Sequence, residues 1–464
     1  MYKKIHENVK ITPDSKAFQF WLNPPASIYR KYYLFEVTNP QEVLNGAKPN
    51  LRQRGPYTFR EKWEKRNLEF LNEEEIKYTP VSTLYFEPTL SIGNESDLIT
   101  FLNIPAAAMI EQIKTGKFDF IDSSFANGVL NHLDTELFIT RSIHELITGY
   151  NDPLMDLAST YMPSMIKGDT FSLMNGQNGT EWQSYVMRTG NDNPLNVGKI
   201  VSWNGKKKLN FWSNDKANEI LGTDGSFYPP FLNRTSRIDS FSPDMCRTYS
   251  LTYLRDNEIA GVKTYDFHLP ENIFAEPSIN PENEGFCDGE CFGSGVLNIS
   301  NCYGGVSGFI SQPHFLNADE KIKNSVDGLT PNKDIHDFII HFEPTTGVPI
   351  GGNVRLQINF YLTQHDEIDL VKNIKPVLLP VLWFEAQISL NPETRDELSK
   401  VAFYVRLVTI IPIAMISTGI LLILVSSFIL IKRFLKPVKH RTVREKKEIY
   451  SAEKANLFST QENV

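Results

Sequence analysis

The chain has 464 residues, 41% apolar, 22% charged and 12% aromatic, with a formal net charge of −8 from 47 basic and 55 acidic residues. That composition excludes wholesale disorder, collagen-like repeats and low complexity. Residues 432–464 carry nine Lys/Arg against four Asp/Glu, leaving −13 on everything before, and so acidic a body argues against nucleic acid as a partner, because phosphate binding needs basic patches.

In chain order, a proline-punctuated segment, WLNPPASIYRKYYLFEVTNPQEVL, leads into RGPYTFRE, where Tyr57 and Phe59 alternate with polar residues after a Gly-Pro turn. The charged alternation of 60–80 and the apolar patches of 82–87 extend this strand-rich reading. Between about 98 and 165 the pattern turns helical. Pro105 followed by three alanines marks a helix start, and Val129, Leu130, Leu133 and Leu137 recur at helical spacing. Ser142 and Glu145 make a capping box for a segment ending at Gly149, and Asp152-Pro153 opens another helix. Strand signals return from about 180 to 390, most clearly in the period-2 run Val354, Leu356, Ile358, Phe360, Leu362. VLLPVLWF, residues 377–384, reads as a buried strand whose Pro380 indicates an edge or a bulge. No repeat recurs at a fixed period. The pattern predicts a mainly β (α+β) body, one antiparallel domain with a helical insert, over residues 1–406.

Residues 407–431, LVTIIPIAMISTGILLILVSSFILI, hold no charge. At 1.5 Å per residue they span about 37 Å, more than the ~30 Å hydrocarbon core of a bilayer, and so predict a transmembrane helix in which Pro412 is tolerable. Eight Lys/Arg and one Glu follow in 432–447, against three basic and three acidic residues in 392–406. The positive-inside rule then puts the tail, 432–464, in the cytosol and the body outside or in a lumen. The first twenty residues read as neither signal peptide nor membrane helix. Two expectations stand together: a tail-anchored protein with a cytosolic body, or a chain lacking its natural N-terminus. In the tail, Glu453 ahead of Leu457-Phe458 approaches an acidic dileucine sorting signal, and the basic stretch before it suits anionic lipid.

Four cysteines, Cys246, Cys287, Cys291 and Cys302, fall within 57 residues. On a lumenal body they read as two disulfides with three possible connectivities; a zinc site lacks its paired spacing, and free thiols would fit a cytosolic body. Asn94, Asn178, Asn233 and Asn298 are glycosylation sequons, conditional on the lumenal topology.

Catalytic and metal constellations are not found, and no cofactor is indicated. HELIT at 144–148 starts like a zinc-protease motif but has Thr148 where the second ligand must stand. Gly293 and Gly295 lack the third glycine of a dinucleotide loop. There is no nucleophile elbow and no phosphate-binding loop. His314, between Pro313 and Phe315, reads as a turn or core histidine.

RGPYTFRE, WNGKKKLNFW, GTDG at 222–225, SPDMCR around Cys246, FCDGECFGSGVLNISNC at 286–302, QPHF at 312–315, FEPTTG at 342–347 and RLQINFYL at 355–362 together resemble the class B scavenger receptor family. The resemblance runs from about residue 20 to the membrane span, with the motifs in the family's order. The cysteine cluster with GSGVLN is most similar to the lysosomal integral membrane protein branch. The family has a membrane helix at each end of a large lumenal or extracellular domain, so the resemblance favours a chain lacking its natural start. It implies an irregular antiparallel β-barrel with an apical helical bundle at about 98–165, and the disulfides Cys246–Cys302 and Cys287–Cys291.

It further implies a non-enzymatic membrane receptor for lipids or lipoprotein particles. Ligands would bind at the helical apex, and lipid would pass through a hydrophobic tunnel, at a lysosomal or endosomal membrane or at the plasma membrane. The alternative is a sorting receptor carrying a lumenal hydrolase as protein cargo at the apex. Scavenging members carry apical lysines for anionic ligands; here the stretch reads Asn131-His132-Leu133-Asp134. His132, Arg141 and His144 are the expected apical ligand-binding residues, the histidines gaining charge as pH falls.

Overall fold

Alternation with a period of two puts successive side chains on opposite faces of a strand, and the central strands of this protein are covered on both faces. The computed structural model describes residues 2–24, 26–114, 122–161, 168–174, 177–287, 291–435 and 443–458. They divide into two units, Met1–Leu398 and Ser399–Val464.

The strands of the first unit are β1 (Ala26–Val37), β2 (Leu51–Asn72), β3 (Glu75–Phe86), β4 (Leu98–Leu102), β5 (Phe138–Ser142), β6 (Tyr150–Asn151), β7 (Thr170–Phe171), β8 (Tyr185–Arg188) and β9 (Ile200–Trp203). They continue with β10 (Arg237–Ser242), β11 (Arg247–Ile259), β12 (Val262–His268), β13 (Val296–Asn298), β14 (Gly308–Ser311), β15 (Ile339–Phe342), β16 (Pro349–Leu362) and β17 (Val377–Leu390). Thirteen form one sheet, in the order β10-β11-β12-β15-β16-β17-β1-β2-β3-β8-β9, with the β13–β14 hairpin joined to β16 through β14. β4–β5 and β6–β7 are separate antiparallel pairs.

On β1, Tyr32 and Leu34 belong to one core and Phe35 and Val37 to a second; on β17, Leu382 and Phe384 belong to the first, Leu379, Val381 and Trp383 to the second. This two-sided burial is why VLLPVLWF is a continuous apolar run. Pro380 lies in an inner strand, opposite Asn359 where the β16 register shifts, and the β1 ladder ends at Leu382. The bulge is present and the edge is not. The polar residues of β16 are equally enclosed. Gln357 and Asn359 are buried, bonded to each other, to Ser311 and to the His314 N–H.

The expected closed barrel is not present as a continuous ladder: the sheet is an open path ending in β9 and β10. Both edges meet one residue, Thr223, which bridges Lys199 beside β9 and Ser240 in β10. The Ile200 N–H donates to the Gly222 carbonyl at 2.8 Å and the Phe241 N–H to the Thr223 carbonyl at 2.9 Å. Gly222 has φ +79°, and a Cβ there would stand 1.9 Å from the Asp239 carbonyl oxygen, so only glycine fits the GTDG turn.

The segment expected to be helical contains Ile104–Lys114, Ser123–His132, Ile143–Thr148 and Pro153–Tyr161, together with the β4–β5 pair. The Ser142–Glu145 capping box forms with both of its bonds, and Asp152 Oδ1 accepts from the Leu154 and Met155 N–H groups. Ala106, Ile110, Leu130 and Leu137 join the second core, and Ile139, Ile143 and Leu146 the first. Near the C-terminus, helix Pro392–Phe434 holds Ile410–Phe434, 25 residues long and apolar enough to cross a membrane. A further helix runs over Val443–Phe458.

Candidate functional site

On β1, Arg30 lies between the buried Ile28 and Tyr32 on one face, and Tyr32 and Leu34 belong to the first core, which places a guanidinium in an apolar row. Arg30 meets Glu61 on β2 through two bonds of 3.1 Å, Nε to Oε2 and Nη2 to Oε1, and its Cζ lies 5.3 Å from the centre of the Phe384 ring. Ser82 donates to the same Glu61, and the Tyr32 hydroxyl contacts Met174 Sδ at 2.8 Å. Burial pulls the Arg30 pKa down, but Glu61, Tyr32 and Asp244 together outweigh it and the pKa rises. Burial raises the Asp244 carboxyl above its usual range, against the pull of the Arg30 charge.

Two segments close this region. Cys246 is bonded to Cys302, Cα–Cα 6.3 Å, so Asp244 and Tyr303 are held together, and the Tyr303 hydroxyl donates to the Asp244 carbonyl at 3.2 Å. Burial also raises the Tyr303 pKa, although the side chain keeps 38% of its surface accessible. Asp244 is likewise only half-buried. Both residues therefore keep accessible surface beside the Cys246–Cys302 bond. Arg30, Glu61 and Asp244 were not among the expected site residues. The signal that finds them is a charge in phase with the apolar alternation, Arg30 with Tyr32 and Leu34, and Glu61 with Tyr57 and Phe59.

The expected apical residues lie in the helical segment without forming one cluster. His132 ends helix Ser123–His132 and is exposed; the neighbouring Asn131, with Asn127, donates to Asp369. Arg141 in β5 stacks over Tyr150 at 4.8 Å and donates to the Thr140 carbonyl. His144 is exposed, its Nδ1 3.4 Å from Glu95 Oε1. Among the sequons, Asn94, Asn233 and Asn298 are exposed, whereas Asn178 is half-buried and accepts from the Leu84 N–H. Cys287 and Cys291 are bonded, Cα–Cα 5.1 Å.

His314 is a buried turn residue at φ +55°. Its ring stacks on that of His336, 4.4 Å between centres and 9° from parallel. Each Nδ1 accepts a backbone N–H, from Thr330 and Asn332, so each neutral ring carries its proton on Nε2; that of His314 faces Gln53 Oε1 at 2.7 Å. Burial pushes His314 down to about 3, with His336 adding to it, and His336 to about 4, with Arg355 adding. Among the described residues no group of three or more His, Cys, Asp or Glu is placed to hold a metal ion.

The sequence profile of the CD36 family matches residues 1–430. Scavenger receptor class B member 1 of Rattus norvegicus is 36% identical over 411 residues, 88% of this chain and 78% of the relative. Lysosome membrane protein 2 is 34% identical in Rattus norvegicus over 420 residues (90% and 86%) and 32% identical in Homo sapiens over 434 residues (93% and 89%). With a fold of one large antiparallel sheet, a helical insert and an apolar C-terminal helix, the chain is a membrane protein that belongs to the CD36 family.

Proposed function

We propose that this protein is a non-enzymatic receptor that binds lipid or lipoprotein ligands and passes lipid through an internal apolar passage to the membrane. The observation that supports the passage is the charged group of Arg30, Glu61 and Asp244 set beside the apolar first core, with Asp244 only half-buried. An acyl chain costs about 0.8 kcal/mol per methylene to expose to water, so an apolar conduit lowers the transfer barrier with no covalent step. In this reading the sheet encloses the conduit as an irregular barrel, its two edges joined at Thr223. Residues 1–406 are lumenal or extracellular and glycosylated at Asn94, Asn178, Asn233 and Asn298. Residues 407–431 span the membrane and 432–464 are cytosolic. Ligands meet His132, Arg141 and His144. A diazirine-bearing lipid added to the full chain tests the passage. Cross-links on peptides containing Arg30, Glu61 or Asp244 are expected; cross-links confined to 407–434 oppose it.

The second reading, a lysosomal sorting receptor carrying a lumenal hydrolase, is favoured by the exposed His144–Glu95 pair and by exposed Ile92, Leu98 and Phe125. Replacing His132 and His144 by Gln should flatten the pH dependence of hydrolase binding between pH 7 and 5. An unchanged profile removes this reading.

A further inference from the structure

Arg247 opens β11 directly after Cys246 and is only 5% exposed. Its guanidinium lies flat against Phe286, Cζ 3.5 Å from the ring centre. Nε donates to the Thr248 carbonyl and Nη2 to Asn283 Oδ1, both neutral acceptors, while Nη1 has no partner. Among the described residues no carboxylate lies within ion-pair distance. Glu282, whose charge acts on Arg247, is engaged by Arg237 at 3.0 Å and by Lys216 at 4.0 Å, and Glu276 lines the same cavity without an ion pair to Arg247. A buried charge without a counter-charge is strongly unfavourable, and here burial pulls even this guanidinium down to about 9.

Beside it is a cavity of about 240 Å³, walled by Trp212, Phe274, Phe286, Phe292 and Leu297 and by the Cys287–Cys291 disulfide. Asn283 holds one side rigid, its Nδ2 bonded to the Ile273 and Ala275 carbonyls. At about 30 Å³ per water-sized group the cavity takes roughly eight such groups. A planar fork with a free donor, against aromatic walls of that size, suits a carboxylate on a short apolar body.

We propose that this cavity is a binding site for a small carboxylate-bearing ligand, with its oxyanion on Arg247 and its apolar part against Trp212, Phe274 and Phe292. The site is separate from the proposed lipid passage and stands without it. The probe is hexanoate, titrated calorimetrically into the full chain in phosphatidylcholine nanodiscs, with hexan-1-ol as the neutral comparator. Hexanoate should bind at least tenfold more tightly than hexan-1-ol. Arg247→Met should abolish that preference. Ala275→Phe, which fills the cavity and leaves Arg247 in place, should abolish hexanoate binding with unchanged near-UV circular dichroism. If nanodiscs containing phosphatidylserine compete with hexanoate, the carboxylate is presented by a lipid head group; if they do not, it is a free small acid. Equal binding of hexanoate and hexan-1-ol overturns the proposal, as does undiminished binding to Ala275→Phe. So does binding that arises only after Asp288→Asn with Glu290→Gln, since the chain's own carboxylates would then be the counter-charge.

Discussion

Arg30 and Glu61 meet diagonally across the β1–β2 ladder, where Arg30 lies opposite Phe59 and Glu61 opposite Ile28, as a two-bond ion pair with Ser82 on the carboxylate and Phe384 beneath the guanidinium. Removing one member leaves the other charged and enclosed. Glu61→Gln should therefore cost about 2–3 kcal/mol in urea unfolding, the worth of hydrogen bonds to a charged group. Combined with Arg30→Gln the loss should be less than additive by at least about 1 kcal/mol. Strict additivity would mean that the pair is not coupled in solution.

The Cys246–Cys302 bond joins the turn before β11 to the segment that carries Tyr303. Replacing both cysteines by Ser should lower stability by about 2–5 kcal/mol, as for native disulfides of secreted domains. Because the same bond holds Asp244 beside Tyr303, lipid cross-linking at Asp244 should fall as well. A loss of stability with unchanged cross-linking would separate the disulfide from the passage.

Acid should weaken the His314–His336 stack. Both rings are neutral when folded, with values near 3 and 4 against 6.5 ordinarily, so below pH 6.5 the unfolded chain binds more protons than the folded one. Stability then falls as pH drops from about 6.5 toward about 4, by on the order of 2 kcal/mol per histidine between pH 7 and 5. His336→Asn, which keeps an acceptor for the Asn332 N–H, should remove about half of that loss, read as the shift of urea midpoint with pH. A midpoint that moves equally in the variant and the wild type would contradict the assignment.

Ser142 satisfies the Glu145 N–H at the start of helix Ile143–Thr148. Ser142→Ala should cost about 1 kcal/mol, with faster amide hydrogen exchange confined to 143–148 and its strand partners. Unchanged exchange there would mean that the cap contributes nothing.

Local signals made part of this architecture legible. The capping box, the Asp152 turn and the alternation of β16 each depend on residues close in sequence, and each is present. What the pattern left open depends on what lies across the strand. Gln357 and Asn359 fall between the apolar positions of β16, and the alternation alone does not show that the β13–β14 hairpin and the His314 turn cover them. Pro380 signals a broken ladder without saying that β17 is an inner strand. Arg30 and Glu61 are 31 residues apart, and only β1–β2 register joins them. Arg247 sits beside Cys246 as an ordinary strand-opening residue until Phe286 and Asn283 are brought to it.

The central claim is that lipid moves through the body of this protein, past Arg30, Glu61 and Asp244. The direct measurement is transfer of a radiolabelled lipid from lipoprotein particles into cells displaying the full chain, wild type against Ser82→Trp, which places an indole beside Glu61. With equal surface display and equal particle binding, transfer should fall at least tenfold in the variant. Transfer at the wild-type rate would contradict an internal passage and leave ligand binding as the whole of the activity.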